Sequence, residues 1–131
     1  SRRVGRAGEA ETWLAQALGL SREAGNRRAE GIVLGQLGLL HNALGRVEEA
    51  LVETEAALAI QRALGNRRSE GGVLSGLAVL YQDQGRMDEA RAHYEASLAI
   101  QREVGDRLAE GIVLGNLIGL IENPHFELPK A

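Results

Sequence analysis

The chain has 131 residues and a formal net charge of −3, so it lacks the basic excess typical of proteins that bind the nucleic-acid phosphate backbone. It contains no cysteine, which excludes disulfides and thiolate metal sites and fits a reducing compartment, so we expect a cytoplasmic protein. No apolar run reaches the roughly 20 residues of a membrane span and no signal-peptide pattern opens the sequence, so no membrane association is predicted.

The sequence repeats itself at a fixed interval. Residues 31–70 align with residues 71–110 without a gap, and about half of the aligned positions are identical. We therefore predict a repeat domain over residues 1–123 and a non-helical C-terminal tail over residues 124–131. The domain divides into a half unit at 5–30, full units at 31–70 and 71–110, and a half unit at 111–123.

Each unit divides at a glycine into two stretches with helical periodicity. In the first full unit, apolar residues three or four positions apart run from Ile32 to Leu44 and again from Val47 to Leu64. No stretch alternates with the period of two that a strand requires. The sequence therefore predicts an all-α chain, with helices over residues 7–24, 27–44, 47–64, 67–84, 87–104 and 107–122.

A short sequence of Gly, then Asn or Asp, then Arg recurs near the end of the opening half unit and near the end of each full unit. We predict that the glycine ends one helix in the left-handed conformation and that Asn or Asp caps the start of the next. A glutamate in the first turn suits the helix N-terminus and can pair with the arginine three residues earlier. A ligand site used three times is the alternative to this helix joint. The residues concerned are Gly25, Asn26, Arg27 and Glu30; Gly65, Asn66, Arg67 and Glu70; and Gly105, Asp106, Arg107 and Glu110.

Each full unit also carries an ordered set of Leu, small, aromatic and Ala positions. The set is Leu34, Leu37, Gly38, His41, Gly45, Ala50, Thr54 and Ala57 in the first unit, and Leu74, Leu77, Ala78, Tyr81, Gly85, Ala90, Tyr94 and Ser97 in the second. This set resembles the tetratricopeptide repeat, although the period is longer than the common value of roughly 34. Longer units of this kind look like those of Pins-type adaptors, kinesin light chains and bacterial regulators. The resemblance implies a right-handed α-solenoid of about six antiparallel helices, with a concave groove for a protein or peptide.

The resemblance further implies that the first helix of each pair lines the groove. Its amide side chains could hydrogen-bond an extended peptide. The Lys/Arg cluster that some family members use to bind peptide carboxylates is missing from this face. We predict protein or peptide binding here. The alternative is that the small residues of this face only permit tight packing of the helices, or face a self-association partner. The predicted groove residues are Ile32, Gln36, Leu39 and Asn42; Ser75, Val79, Gln82 and Asp83; and Ile112 and Asn116.

The first and last helices lack the neighbour that a complete unit would supply. Ile118 occupies the position of Gly38 and Ala78, where a partner helix would come close, so its bulk indicates that no ordinary partner helix follows. Either the tail covers the last helix, or the last helix of one molecule packs on the first helix of another and forms a homo-oligomer. The residues predicted for self-association are Trp13, Leu14, Leu117, Ile118 and Ile121.

No catalytic constellation can be assembled from the sequence. His41, His93 and His125 are the only histidines and lack the spacing of a metal site. His41 takes the position of Tyr81, which favours packing, and His93 is expected on the outer side of its helix. We therefore predict an adaptor or regulatory scaffold with no enzymatic activity, cofactor or metal. The alternative is a structural module that self-assembles through its terminal helices.

Overall fold

The computed structural model describes residues 2–122, and the predicted tail at 124–131 lies outside them. Within this range the chain forms six α-helices and no strand, which confirms the predicted all-α fold. The bounds of five helices agree closely with the prediction. The exception is the first helix, which starts before residue 7 because no residue between 2 and 6 breaks it. The helices are α1 (Arg2–Glu23), α2 (Arg27–Ala43), α3 (Val47–Ala63), α4 (Arg67–Asp83), α5 (Met87–Val104) and α6 (Arg107–Ile121).

The recurrent Gly-Asn/Asp-Arg sequence forms the predicted helix joints. Gly25, Gly65 and Gly105 have φ angles of 67°, 67° and 73°, the left-handed region in which glycine avoids the strain of a Cβ. The next residue caps the following helix, since the side chain of Asn26 accepts a hydrogen bond from the Ala29 backbone N–H at 3.0 Å. Equivalent caps start α4 and α6. Each joint therefore combines the stop of one helix with the start of the next.

The described residues fall into two compact units, residues 2–65 (the first unit) and residues 66–122 (the second unit). These compact units do not coincide with the sequence repeats. In the first unit, α2 and α3 form a helical hairpin around an apolar core, and α1 packs on α2. Ser21 is the only buried residue of α1 from residue 5 onward, so α1 buries fewer of its side chains than the hairpin helices do. The buried apolar residues of the hairpin are Val33, Leu34, Leu37, Ala50, Ala57, Leu58 and Ile60.

The second unit contains α4, α5 and α6. Its α4–α5 hairpin buries Leu77 and Tyr94 almost completely, and α6 packs on α5 and buries Val113 and Leu120. Each aliphatic side chain of this kind stabilises the fold by about 1.5–3 kcal/mol when fully buried. The hydroxyl of Ser97 donates a hydrogen bond of 2.7 Å to the backbone carbonyl of Gly71, so a polar link joins the two hairpin helices inside the core.

Candidate binding surfaces

The predicted groove residues of α2 form one exposed strip, which we call the α2 surface (Ile32, Gln36, Leu39 and Asn42). Ile32 and Leu39 have 51% and 65% of their surface exposed, and Gln36 lies exposed between them. The spacing of four and then three positions places these three side chains on one side of the helix. Asn42 is half-buried at the end of the strip. The surface therefore combines apolar contact area with amide hydrogen-bonding groups.

The α4 surface (Ser75, Val79, Gln82 and Asp83) is more involved in the hairpin than the sequence predicts. The hydroxyl of Ser75 lies 2.7 Å from that of Ser97, and the Gln82 side-chain oxygen accepts a hydrogen bond of 2.9 Å from the Tyr94 hydroxyl. Two of the polar residues predicted to face a peptide are thus hydrogen-bonded to α5. Val79 and Asp83 are exposed, and the amide nitrogen of Gln82 can still donate elsewhere.

The α6 surface (Ile112 and Asn116) belongs to the same unit as the α4 surface. Ile112 is 58% exposed and Asn116 is half-buried. Within this unit α4 and α6 approach each other, so the structure places both surfaces on neighbouring helices. Like the α2 surface, the α6 surface pairs an exposed isoleucine with an amide one helical turn later.

The arginines of the helix joints are engaged by carboxylates of their own unit. Arg27 bonds Glu30 at 3.0 Å in the first unit, and Arg67 bonds Glu70 at 3.0 Å in the second. Glu103 of α5 also accepts a hydrogen bond of 2.7 Å from Arg67, a contact between helices that was not predicted from the sequence. These ion pairs occupy part of the hydrogen-bonding capacity of the two guanidinium groups.

The residues predicted for self-association lie on two helices and are unequally exposed. Trp13 of α1 is 65% exposed, and Leu14 beside it is half-buried. On α6, Ile118 and Ile121 are exposed and Leu117 is half-buried. The position equivalent to Ile118 in α4 is Ala78, which α5 covers completely. The free side of α6 is therefore the side that a hairpin partner would cover.

A charged cluster in the first unit was not predicted from the sequence. His41 is buried, as its packing role requires, but its Nδ1 lies 2.6 Å from Oε1 of Glu53 and its Nε2 lies 3.4 Å from Oε1 of Glu11. Arg46 donates to the same Glu11 oxygen at 2.7 Å. His41 and Glu53 lie on opposite sides of the turn at Gly45. Their positions relative to this turn are the sequence signal from which the contact between them could have been predicted.

His93 also differs from its prediction. It is half-buried rather than on the outer side of α5, and its ring packs on that of Tyr81 with centroids 4.9 Å apart. Its Nδ1 lies 2.7 Å from the backbone carbonyl oxygen of Glu89. Among residues 2–122 no group of three or more His, Asp or Glu side chains is arranged to hold a metal ion. No helix in this range has the length and apolar character needed to cross a membrane.

Comparison with known families gives matches in both predicted full units. Models of the tetratricopeptide repeat match residues 32–56 and residues 69–117. The chain belongs to the tetratricopeptide repeat family. Repeats of this family generally mediate protein–protein interactions or scaffolding, and the family is generally non-catalytic.

The fold of this tetratricopeptide repeat chain is similar to that in the crystal structure of BtubC (BKLC) from P. vanneervenii. The TM-score is 0.67 and the sequence identity is 19% over 99% of the present chain, which spans 63% of the length of that protein. At this identity the likeness concerns the fold alone, and it confirms the predicted α-solenoid class. A search of curated proteins found no significant match.

Proposed function

We propose that this tetratricopeptide repeat chain is a non-catalytic adaptor or scaffold module of the cytoplasm. It binds a protein or peptide through the first helix of each helix pair, which is α2, α4 or α6. The observation that carries the proposal is the α2 surface, where exposed Ile32 and Leu39 flank the amide of Gln36 on one side of the helix. Large apolar side chains exposed together are informative about function, whereas single ones are common on any protein surface.

The chemistry of the α2 surface defines the class of partner. Its isoleucine and leucine would contact apolar side chains of the ligand, and its amides would hydrogen-bond the ligand backbone. None of its four residues is charged. Binding to this surface should therefore respond weakly to salt, in contrast to the strongly salt-dependent binding of a nucleic acid.

A phage-displayed library of linear peptides, selected on the immobilised chain, tests this proposal. We expect enriched peptides with apolar side chains, whose affinity falls at least about tenfold when Leu39→Ala or Gln36→Ala is introduced. Asn116→Ala tests the α6 surface in the same way. Val52→Ala is the matched control, because Val52 is 68% exposed on α3, outside these surfaces. Peptides that bind all of these variants as tightly as the original chain would contradict the proposal.

Self-assembly is the second candidate function, and the exposure of α6 favours it. Leu114 is 37% exposed where the equivalent Leu74 is 3% exposed, and Ile118 is 58% exposed where Ala78 is fully covered. A second copy could bury these side chains against exposed Trp13 of its own α1. The bulk of Ile118 would hold the two helices further apart than α2 and α3, where Gly38 permits close approach.

Light scattering over a range of concentrations tests self-assembly. A mass above the 14.0 kDa of one chain that rises with concentration is expected, and Ile118→Asp should return the chain to the monomer mass. Val52→Asp controls for an added charge at an exposed apolar position. The monomer mass at every concentration would exclude this candidate and leave peptide binding untouched.

A further inference from the structure

The ring of His41 is held between carboxylates that come from two different helices. Only 4% of the residue is exposed. Its Nδ1 lies 2.6 Å from Oε1 of Glu53 on α3, with an oxygen of Glu49 at 3.9 Å, and its Nε2 lies 3.4 Å from Oε1 of Glu11 on α1. Arg46, which follows α2, is the cation of the cluster and donates to Glu11 at 2.7 Å. Both ring nitrogens of a buried histidine therefore face negatively charged oxygens.

This arrangement suits the imidazolium and not the neutral ring. A neutral imidazole carries one N–H and one lone pair, whereas the imidazolium carries two N–H donors. If neutral His41 donates to Glu53, its Nε2 lone pair faces the carboxylate of Glu11, and the two repel each other. Protonation replaces that repulsion with electrostatic attraction between the Nε2–H and the Glu11 carboxylate, whose oxygen lies 3.4 Å away.

We propose that protonation of His41 controls how firmly α1 is docked on the α2–α3 hairpin. Glu11 is the α1 residue that meets the ring, so the attraction between α1 and the hairpin changes when the ring gains or loses its proton. Arg46 holds Glu11 in both states, so loss of the proton loosens α1 without removing every polar link. In the second unit Tyr81 and His93 take the positions of His41 and Glu53. The α4–α5 hairpin therefore has no equivalent contact between a histidine and a glutamate.

The weak apolar attachment of α1 makes this polar link important. Leu14 and Leu18 are only half-buried, and Ser21 is the one buried residue of α1 from residue 5 onward. The hairpin, by contrast, buries several large aliphatic side chains almost completely. The free energy of one charged contact is therefore a larger fraction of the stabilisation that docks α1 than of the stabilisation that packs α2 on α3.

The direction of the pH effect follows from the environment of the ring. Burial by itself lowers the pKa of His41, but the hydrogen bond to Glu53 and the nearby carboxylate of Glu11 together outweigh burial and raise the pKa above the ordinary 6.5. The attraction between the ring and Glu11 is therefore present while His41 is protonated and is lost as the pH rises through the raised pKa of the docked state. α1 is docked firmly in mild acid and loosely in mild base.

Backbone amide hydrogen exchange of the full chain tests whether protonation of His41 controls the docking of α1. Rates are measured at about pH 5.5 and about pH 8.5, which bracket histidine titration, and are corrected for the intrinsic effect of pH. The opening constant of α1 should rise with pH, with a limit of about tenfold for each unit by which the pKa of docked His41 exceeds that of the open state. Protection of α3 should stay constant. The NMR titration of the His41 ring should have its midpoint above 6.5.

Two variants make the test specific. Glu11→Gln lets neutral His41 accept a hydrogen bond from the new amide, so the pH dependence of α1 should disappear while His41 remains paired with Glu53. His41→Gln should also abolish the pH dependence. Glu9→Gln, at an exposed position of the same helix, is the matched control and should retain it. Equal protection of α1 at the two pH values, or a parallel loss in α1 and α3, would overturn the proposal, as would pH dependence that survives in Glu11→Gln.

Discussion

Gly38 of α2 lies directly against the side chain of Thr54 on α3. A Cβ at Gly38 would overlap the Thr54 hydroxyl, and the backbone carbonyl oxygen of Ala50 would lie 3.4 Å from the same added atom. The hydroxyl cannot turn aside freely, because it donates a hydrogen bond of 2.8 Å to that carbonyl. This contact therefore sets how closely α2 and α3 can pack.

We expect Gly38→Ala to lower the free energy of unfolding of the first unit. Overpacking of this kind costs about 1–3 kcal/mol, which exceeds the roughly 0.5–1 kcal/mol that alanine gains over glycine inside a helix. Gly35→Ala is the matched control on the same helix, because no heavy atom lies within 4 Å of its added Cβ. It should stabilise the chain slightly. Urea denaturation measures both changes.

The contact between Gly38 and Thr54 also predicts that the effect of Gly38→Ala depends on the Thr54 side chain. In a chain that already carries Thr54→Ala, the added methyl of Gly38→Ala no longer meets a hydroxyl, so its cost should largely vanish. If Gly38→Ala instead stabilises the chain as much as Gly35→Ala does, the helices have room to spare and the assigned contact is wrong.

The hydrogen bond between Tyr94 and Gln82 gives the next prediction. Tyr94 is 1% exposed, and its hydroxyl donates to the Gln82 side-chain oxygen at 2.9 Å. Tyr94→Phe keeps the ring but leaves that oxygen without its donor, so we expect a loss of about 0.5–1.5 kcal/mol in the free energy of unfolding. Tyr94→Ala should cost about 3–5 kcal/mol, as large aromatic truncations do. Urea denaturation of the two variants separates the hydrogen bond from the ring, and a Phe variant as stable as the original chain would show that the bond contributes nothing.

The joints were predictable from the sequence because their interactions are local. A glycine's φ angle and the cap by Asn or Asp depend on residues within about one helical turn, so a short recurring motif contains the necessary information. The hairpin contacts were predictable in principle. His41 and Glu53 have the same separation along the chain as Tyr81 and His93, because each pair lies at matching distances from a turn.

The contact of His41 with Glu11 could not be predicted in this way. The later repeats carry Leu51 and Arg91 at the position of Glu11, so no recurring residue marks this position as the partner of a histidine. The chemistry of each hairpin pair also differs between the units, with an ion pair at His41 and Glu53 and a ring contact at Tyr81 and His93. Alignment of the repeats predicts which positions meet, but not what the side chains do there.

The helix caps provide a graded prediction. The side-chain oxygens of Asn26 and Asp106 accept hydrogen bonds of 3.0 Å, whereas that of Asn66 accepts one of 3.4 Å. Asn26→Ala and Asp106→Ala should each cost about 0.5–2 kcal/mol, and Asn66→Ala should cost less because its bond is longer. Thermal unfolding by circular dichroism ranks the three variants. A larger loss at Asn66 than at the other two would contradict the order assigned from these distances.

Acid stability provides the last prediction, at the joint between α1 and α2. Glu30 is bonded to Arg22 at 3.2 Å and to Arg27 at 3.0 Å, and these two hydrogen bonds, that of Arg22 above all, lower the pKa of its carboxyl below 4.5. A depressed pKa means that the stabilisation is present above the ordinary value and is lost as the pH falls through the lowered one. Glu30→Gln should therefore lower the melting temperature near neutral pH and reduce its fall between about pH 5 and about pH 3. Glu23→Gln, at an exposed position nearby, controls for the removal of one negative charge. The assignment fails if the two variants lose the same acid sensitivity, since the effect would then reflect net charge rather than the arginine pair.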